Sequence, residues 1–167
     1  MSPPPYYICE VKNIKILAID QSTKITGYSI WEDKKLINYG IIEVDHNEKN
    51  PMERMCQMYF SIKNLIDEIK PDFVGFEGIQ FQRNYQTYSL LSQLQGLILS
   101  ILFERNMAFL YLEPTKWKAY CKIKGRKRAE QKANTIQMVK DKFSIEVSED
   151  EADAIGIGIW CVNNLLK

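Results

Sequence analysis

Four acidic residues, Asp20, Glu77, Asp150 and Asp153, are placed where they could do chemistry. Asp20 ends the apolar run Ile14-Lys15-Ile16-Leu17-Ala18-Ile19-Asp20, and Glu77 ends Phe73-Val74-Gly75-Phe76-Glu77. Both runs have the length and composition of buried strands. In α/β folds, ligands gather at the carboxyl ends of strands. One acid there would only mark a strand leaving the core. Two at matching positions, each followed by small or polar residues (Gln21-Ser22-Thr23 and Gly78), point to a site.

Asp150 and Asp153 are three residues apart, so a helix puts them on one face. That face continues through Ile157, Trp160 and Cys161, an apolar stripe. An uncompensated charge on a buried face is costly, and a cation resolves the conflict. Ser148 and Glu151 have the spacing of a capping box. Acids in a first turn also suit the helix dipole. Capping therefore accounts for Glu149 and Glu151 and nearly for Asp150, but less well for Asp153. Ala154, Gly156 and Gly158 would let this helix lie close to a sheet. Carboxylates alone suit magnesium, which prefers oxygen ligands. Two such ions ~4 Å apart can activate a water and stabilise the leaving oxygen in phosphodiester hydrolysis. Without metal, crowded carboxylates raise one another's pKa, so metal binding should depend on pH.

Other chemistries are poorly supplied. The single histidine, His46, lies in Asp45-His46-Asn47-Glu48 and reads as a surface loop residue. Its isolation excludes zinc sites needing several histidines and leaves little room for a Ser-His or Cys-His pair. Cys9, Cys56, Cys121 and Cys161 are too far apart for a CxxC motif and read as reduced and mostly buried.

The net charge of +1 gives no global hint of a nucleic-acid partner, but its distribution does. Lys116, Lys118, Lys122, Lys124, Arg126, Lys127, Arg128 and Lys132 face one acid, Glu130, in a seventeen-residue stretch. Charge this segregated suggests a local anion-binding surface. A charge run is commonly a solvated helix face. Here Trp117 and Tyr120 interleave with it and Gly125 breaks it, which favours a loop making phosphate contacts. After Glu77, Phe81 and Arg83 join the DNA-binding candidates, whereas Tyr88 reads as packing for the helix that follows.

Hydrophobic periodicity supplies the elements that must position these residues. Strands are expected at 14–20, 27–31 and 35–44, joined by short links as an antiparallel meander. A helix over 51–70 follows, then a strand at 73–77, a helix at 85–105 and a strand at 108–112. Pro114 opens a short helix. Helices over 129–143 and from Ser148 to the end complete the chain. The pattern predicts an α/β fold: a mixed five-stranded sheet, three antiparallel strands then parallel ones, flanked by helices. Its 167 residues suffice for a single core. Residues 1–12, with their proline run, read as a flexible tail, and 13–167 as one nuclease domain. No apolar run reaches the ~18 residues of a membrane span, and the N-terminus is unlike a signal peptide. A cytoplasmic protein is expected.

These segments resemble a known family. Ile16-Leu17-Ala18-Ile19-Asp20-Gln21-Ser22-Thr23-Lys24-Ile25-Thr26-Gly27-Tyr28 resembles the first motif of RuvC-type Holliday junction resolvases. Val74-Gly75-Phe76-Glu77-Gly78-Ile79-Gln80 resembles their second motif. Asp150-Glu151-Ala152-Asp153-Ala154-Ile155-Gly156 resembles their closing D-x-x-D-A. The match spans about Ile14 to Trp160 and looks closest to the bacteriophage branch, which would place the protein in a host cytoplasm. The resemblance implies an RNase H-like fold, a homodimer, and cleavage of four-way DNA junctions with Mg2+ or Mn2+, two ions per site. It assigns Asp20, Glu77, Asp150 and Asp153 to metal binding. It makes Lys118 a DNA-contacting lysine, Lys132 a second functional lysine, and Phe81 an aromatic wedge at the junction centre. Gln21 departs from the Pro-Gly pattern after the first acid. Ile19-Asp20-Gln21-Ser22-Thr23 also resembles the phosphate loop of sugar-kinase and actin-like ATPases, a nucleotide-binding alternative. A non-catalytic branched-DNA-binding module on the same fold is another, and an RNA-directed RNase H-like nuclease a third.

Overall fold

The computed structural model describes residues 13–45, 47–81 and 83–166. The proposed tail, Cys9 and His46 lie outside the described residues. Within the described residues five strands run in chain order: β1 (Lys15–Asp20), β2 (Ile25–Glu32), β3 (Lys35–Glu43), β4 (Phe73–Glu77) and β5 (Ala108–Leu112). Among the described residues five helices accompany them: α1 (Pro51–Ile69), α2 (Tyr85–Glu104), α3 (Pro114–Tyr120), α4 (Arg128–Phe143) and α5 (Glu149–Leu165). The sheet order is β3-β2-β1-β4-β5. β1–β2 and β2–β3 pair antiparallel, and β1–β4 and β4–β5 parallel. This is the expected mixed sheet. The one sizeable boundary difference is that β2 starts at Ile25, because the ladder with β3 continues past Gly27.

β1 is apolar on both faces because it lies at the centre, and its residues alternate between two cores. Ile16 and Ala18 enter one with Ile155, Ile157, Val162 and Trp117, beneath α3, α4 and α5. Leu17 and Ile19 enter the other with Met58, Ile62, Ile66, Leu94 and Ile98, beneath α1 and α2. Each fully buried aliphatic side chain contributes roughly 1.5–3 kcal/mol. The result is a three-layer sandwich that fixes β1 and β4 side by side, with Asp20 and Glu77 at neighbouring carboxyl ends.

Helix boundaries follow local chemistry. Asn50 caps α1 by accepting from the Met52 N–H, and Lys70, in the left-handed region at φ 50°, closes it before Pro71. The Ser148 capping box on α5 forms as its spacing predicts. α5 is held close to the sheet. A Cβ on Gly158 would stand 2.0 Å from Trp31 Nε1. The Ser29 hydroxyl donates to the Ala154 carbonyl at 2.8 Å. Among the described residues, no helix is long and apolar enough to cross a membrane.

Candidate active site

The four acids meet in one cleft. Asp20 comes from the end of β1, Glu77 from the end of β4, and Asp150 and Asp153 from the first turns of α5. All four line a cavity of about 490 Å3, together with Lys118, Arg128 and Lys132. Asp150 and Asp153 share a helix face with buried Ile157 and Cys161, as their spacing predicts.

Burial and mutual repulsion disfavour charge on these acids. Asp20 is held well above the ordinary carboxylate range, first by burial, then by Glu77, Asp153 and Asp150; Lys118 opposes this. Burial pushes Asp153 up to about 6, with Glu77 and Asp150 adding to it and Lys118 and Lys132 opposing. Glu77 is raised by burial, against a hydrogen bond from Trp117 and the charges of Lys118 and Arg128. Asp150 is raised by burial and by Glu149 and Glu151, with Lys132 and Arg128 opposing.

Among the described residues, no three acidic, histidine or cysteine side chains are drawn together tightly enough to form a ready-made cation cage. The donor set still fits a hard divalent cation. It is all oxygen, it comes from three separate elements, and no ion pair among the described residues neutralises Asp20. Repulsion between uncompensated carboxylates favours spread side chains, and a cation reverses that preference.

The basic residues divide into two groups. Lys118, Arg128 and Lys132 line the cleft. Lys132 also pairs with Glu149, so this acid does more than serve the helix dipole. Lys116, Lys122, Lys124, Arg126 and Lys127 are exposed outside the cleft. The loop between α3 and α4, which carries all of these but Lys116, is pinned to α4. The Arg126 N–H donates to Glu130, Gln131 donates to the Gly125 carbonyl, and Asn134 donates to the Lys124 carbonyl. Glu130, the one acid of the basic stretch, is thus a brace for the loop. Gly125 takes φ 131°, a conformation that favours glycine.

The expectation that Trp117 belongs to an exposed nucleic-acid surface is corrected. Its side chain is fully buried, its Nε1 donates to Glu77 Oε1 at 2.8 Å, and only Tyr120 of the pair is exposed. Phe81 is 82% exposed on the β4–α2 loop, its ring 5.7 Å from that of half-buried Tyr88. Arg83 is exposed on the same loop.

Sequence reasoning missed Gln21 as a lining residue. Both polar atoms of its side chain are buried without a hydrogen-bond partner. The only signal in the chain was its departure from the motif. The Ser22 N–H, which a phosphate loop would offer its ligand, is taken by the Thr26 hydroxyl at 3.0 Å. Thr26 in turn donates to the Ser22 carbonyl at 2.9 Å. That closed turn does not favour the nucleotide-binding alternative.

Comparison with known proteins places this site in a family. The family described as crossover junction endodeoxyribonuclease RuvC matches residues 16–161. The RuvC of Caldicellulosiruptor saccharolyticus is 26% identical over 151 residues, 87% of this chain and 90% of that protein. The RuvC of Fusobacterium nucleatum is 29% identical over 160 residues, 91% of this chain and 82% of that protein. In three dimensions the chain resembles T. thermophilus RuvC, solved in complex with a Holliday junction substrate. The TM-score is 0.68 at 16% identity, covering 87% of this chain and 91% of that one. The fold is RNase H-like. With three matching motifs brought into one cleft and nearly the whole chain covered, the protein belongs to the RuvC family of crossover junction endodeoxyribonucleases.

Proposed function

We propose that the acidic cleft is the catalytic centre of this structure-selective endodeoxyribonuclease, and that Asp20, Glu77, Asp150 and Asp153 hold divalent metal there, two Mg2+ or Mn2+ ions. The observation that carries the reading is the convergence of four carboxylates from β1, β4 and α5 on one cleft with cations on its wall. When bound, such ions supply an activated water and charge stabilisation for phosphodiester hydrolysis. The chain's own residues do the rest. The carboxylates give up protons as the cleft fills. Lys118 and Lys132 neutralise and orient the scissile strand's backbone, and Lys132 exchanges Glu149 for phosphate as it does so.

The substrate is branched DNA, above all the four-way junction. Lys116, Lys122, Lys124, Arg126, Lys127 and Arg128 track its phosphates, which carries affinity without reading bases. Exposed Phe81 stacks at the branch point, with Arg83 beside it. Residues 13–167 act as one nuclease domain and work as a homodimer, so that two clefts address two strands. The cytoplasm is its place of action.

The deciding experiment is cleavage of a synthetic four-way junction with Mg2+, comparing wild type with Asp20→Asn. We expect cutting by the wild type and none by the variant. Activity surviving in Asp20→Asn would refute the metal assignment. Equal cutting of junction and plain duplex would refute the junction preference while sparing the nuclease.

A further inference from the structure

Trp117 is wholly buried, yet its single polar atom is turned to the acidic cleft. Its indole N–H donates to Glu77 Oε1 at 2.8 Å. A buried tryptophan needs a partner for that N–H. A backbone carbonyl would serve packing equally well. Here the partner is a carboxylate at the end of β4, forty residues away in sequence.

The ring that carries the N–H is held on two sides. A Cβ on Gly156 of α5 would come within 2.5 Å of indole Cζ3, so the ring fills the place a side chain would occupy. The ammonium of Lys118 stands 5.3 Å from the ring centroid. One rigid side chain therefore touches Glu77, the helix three residues beyond Asp153, and a lysine of the cleft wall. An indole N–H can only donate. It fixes one carboxylate oxygen and leaves the remaining lone pairs of Glu77 to other partners.

We propose that Trp117 is a positioning residue for Glu77. It locks the carboxylate's orientation and, through its seat on Gly156, sets Glu77 in register with the helix that carries Asp150 and Asp153. This rests on the reading of Glu77 as a metal ligand. Groups that orient ligand side chains typically change metal affinity by ~10–100-fold when removed.

The test uses the full chain and Trp117→Phe, which keeps an aromatic ring and deletes the N–H. Two midpoints in Mg2+ are measured. One is for junction cleavage, and the other is for the rise in melting temperature produced by Mg2+ alone without DNA. Both are expected to move ~10-fold or more to higher Mg2+, while the cleavage rate at saturating Mg2+ falls much less. A packing role would lower the melting temperature at every Mg2+ concentration and leave both midpoints in place, and that result overturns the proposal. Glu77→Gln separates the two ways of failing. If it leaves the midpoints unchanged, the ligand reading falls. If it shifts them and Trp117→Phe does not, only the positioning role falls. Should Trp117→Phe not fold, Gly156→Ala takes its place. It keeps the N–H but displaces the ring; midpoints that stay in place overturn the proposal, and a shift that disappears when Glu77→Gln is already present supports it.

Discussion

Gly27 of β2 faces the carbonyl of Asp150 so closely that a Cβ built on it would stand 2.0 Å from that oxygen. Gly27 is also the cross-strand partner of Asp20. One glycine therefore sets how near the first turn of α5 comes to the end of β1, and with it the spacing of Asp20 from Asp150 and Asp153. The obstacle would be backbone, which no rotamer change relieves. Gly27→Ala is expected to destabilise the fold by ~1–3 kcal/mol. It should lower cleavage further than the reduced folded fraction explains, because α5 must back away from the strand. Urea melts paired with junction cleavage at saturating Mg2+ check this. Wild-type cleavage per folded molecule would show that the approach of α5 is not critical.

The acids also predict an unusual pH dependence for the metal-free protein. Asp153 is raised from an ordinary 3.8 to about 6, with burial the leading cause. Asp20, Glu77 and Asp150 are raised too. A carboxyl whose folded pKa lies above its unfolded one binds more protons when folded, so stability falls as pH rises between the two values. For Asp153 that window runs from about 3.8 to about 6, and above it the penalty is fully in place. Asp67, lowered by its hydrogen bond from Lys63, has the opposite sign and acts only below its ordinary 3.8. Melting in EDTA should therefore show stability dropping from pH 5 to pH 8, with Asp153 alone contributing on the order of 1 kcal/mol for the single unit of its window above pH 5. Added Mg2+ should recover it at pH 8 and do little at pH 5. Asp153→Asn should flatten the slope. A melting temperature indifferent to Mg2+ at pH 8 would count against the metal reading.

Much of this was legible in the sequence because the signals were local. Asp20 and Glu77 end apolar runs, and Asp150 and Asp153 share a helix face through simple periodicity. The mixed character of the sheet followed from which strands have short links and which need a crossover helix, whereas the strand order came only with the ladder. Trp117 was misread because its neighbours are lysines. Its environment is decided by Gly156 and Glu77, both about forty residues away, and no periodicity carries that contact. Glu130 looked like a stray acid in a basic run, yet it braces the Arg126 amide. The orphaned amide of Gln21 could be seen only once the walls around it were in place.

The split of the basic residues predicts two different mutant phenotypes. Lys124 and Arg126 lie on the pinned loop outside the cleft, whereas Lys118 and Lys132 line it. Lys124→Gln with Arg126→Gln should weaken junction binding and reduce the slope of log affinity against log salt by ~0.9 for each phosphate that is no longer neutralised. The rate at saturating DNA should hold. Lys132→Gln should do the reverse, lowering the saturated rate with little change in affinity. Salt titrations of binding by fluorescence anisotropy, beside single-turnover cleavage, separate the two. An unchanged salt slope in the double variant would remove this loop from the DNA surface.

Gln21 gives the last prediction, in which stability and activity move in opposite directions. Its side-chain nitrogen and oxygen are buried on the cleft wall with no partner. Leaving a buried polar group unsatisfied costs roughly 1–3 kcal/mol. Methionine has a similar length and volume and no such demand. Gln21→Met should therefore raise the stability of the free protein by ~1 kcal/mol. If the amide is kept because the DNA strand or its hydration completes those hydrogen bonds in the loaded cleft, the same substitution should slow cleavage. Stability gained at the expense of function is a common pattern at sites that await a ligand. Thermal melts without DNA and single-turnover cleavage of a four-way junction test both halves. A variant that is more stable and cuts as fast as wild type would show that the amide has no role in the reaction. A variant that is less stable would overturn the first half.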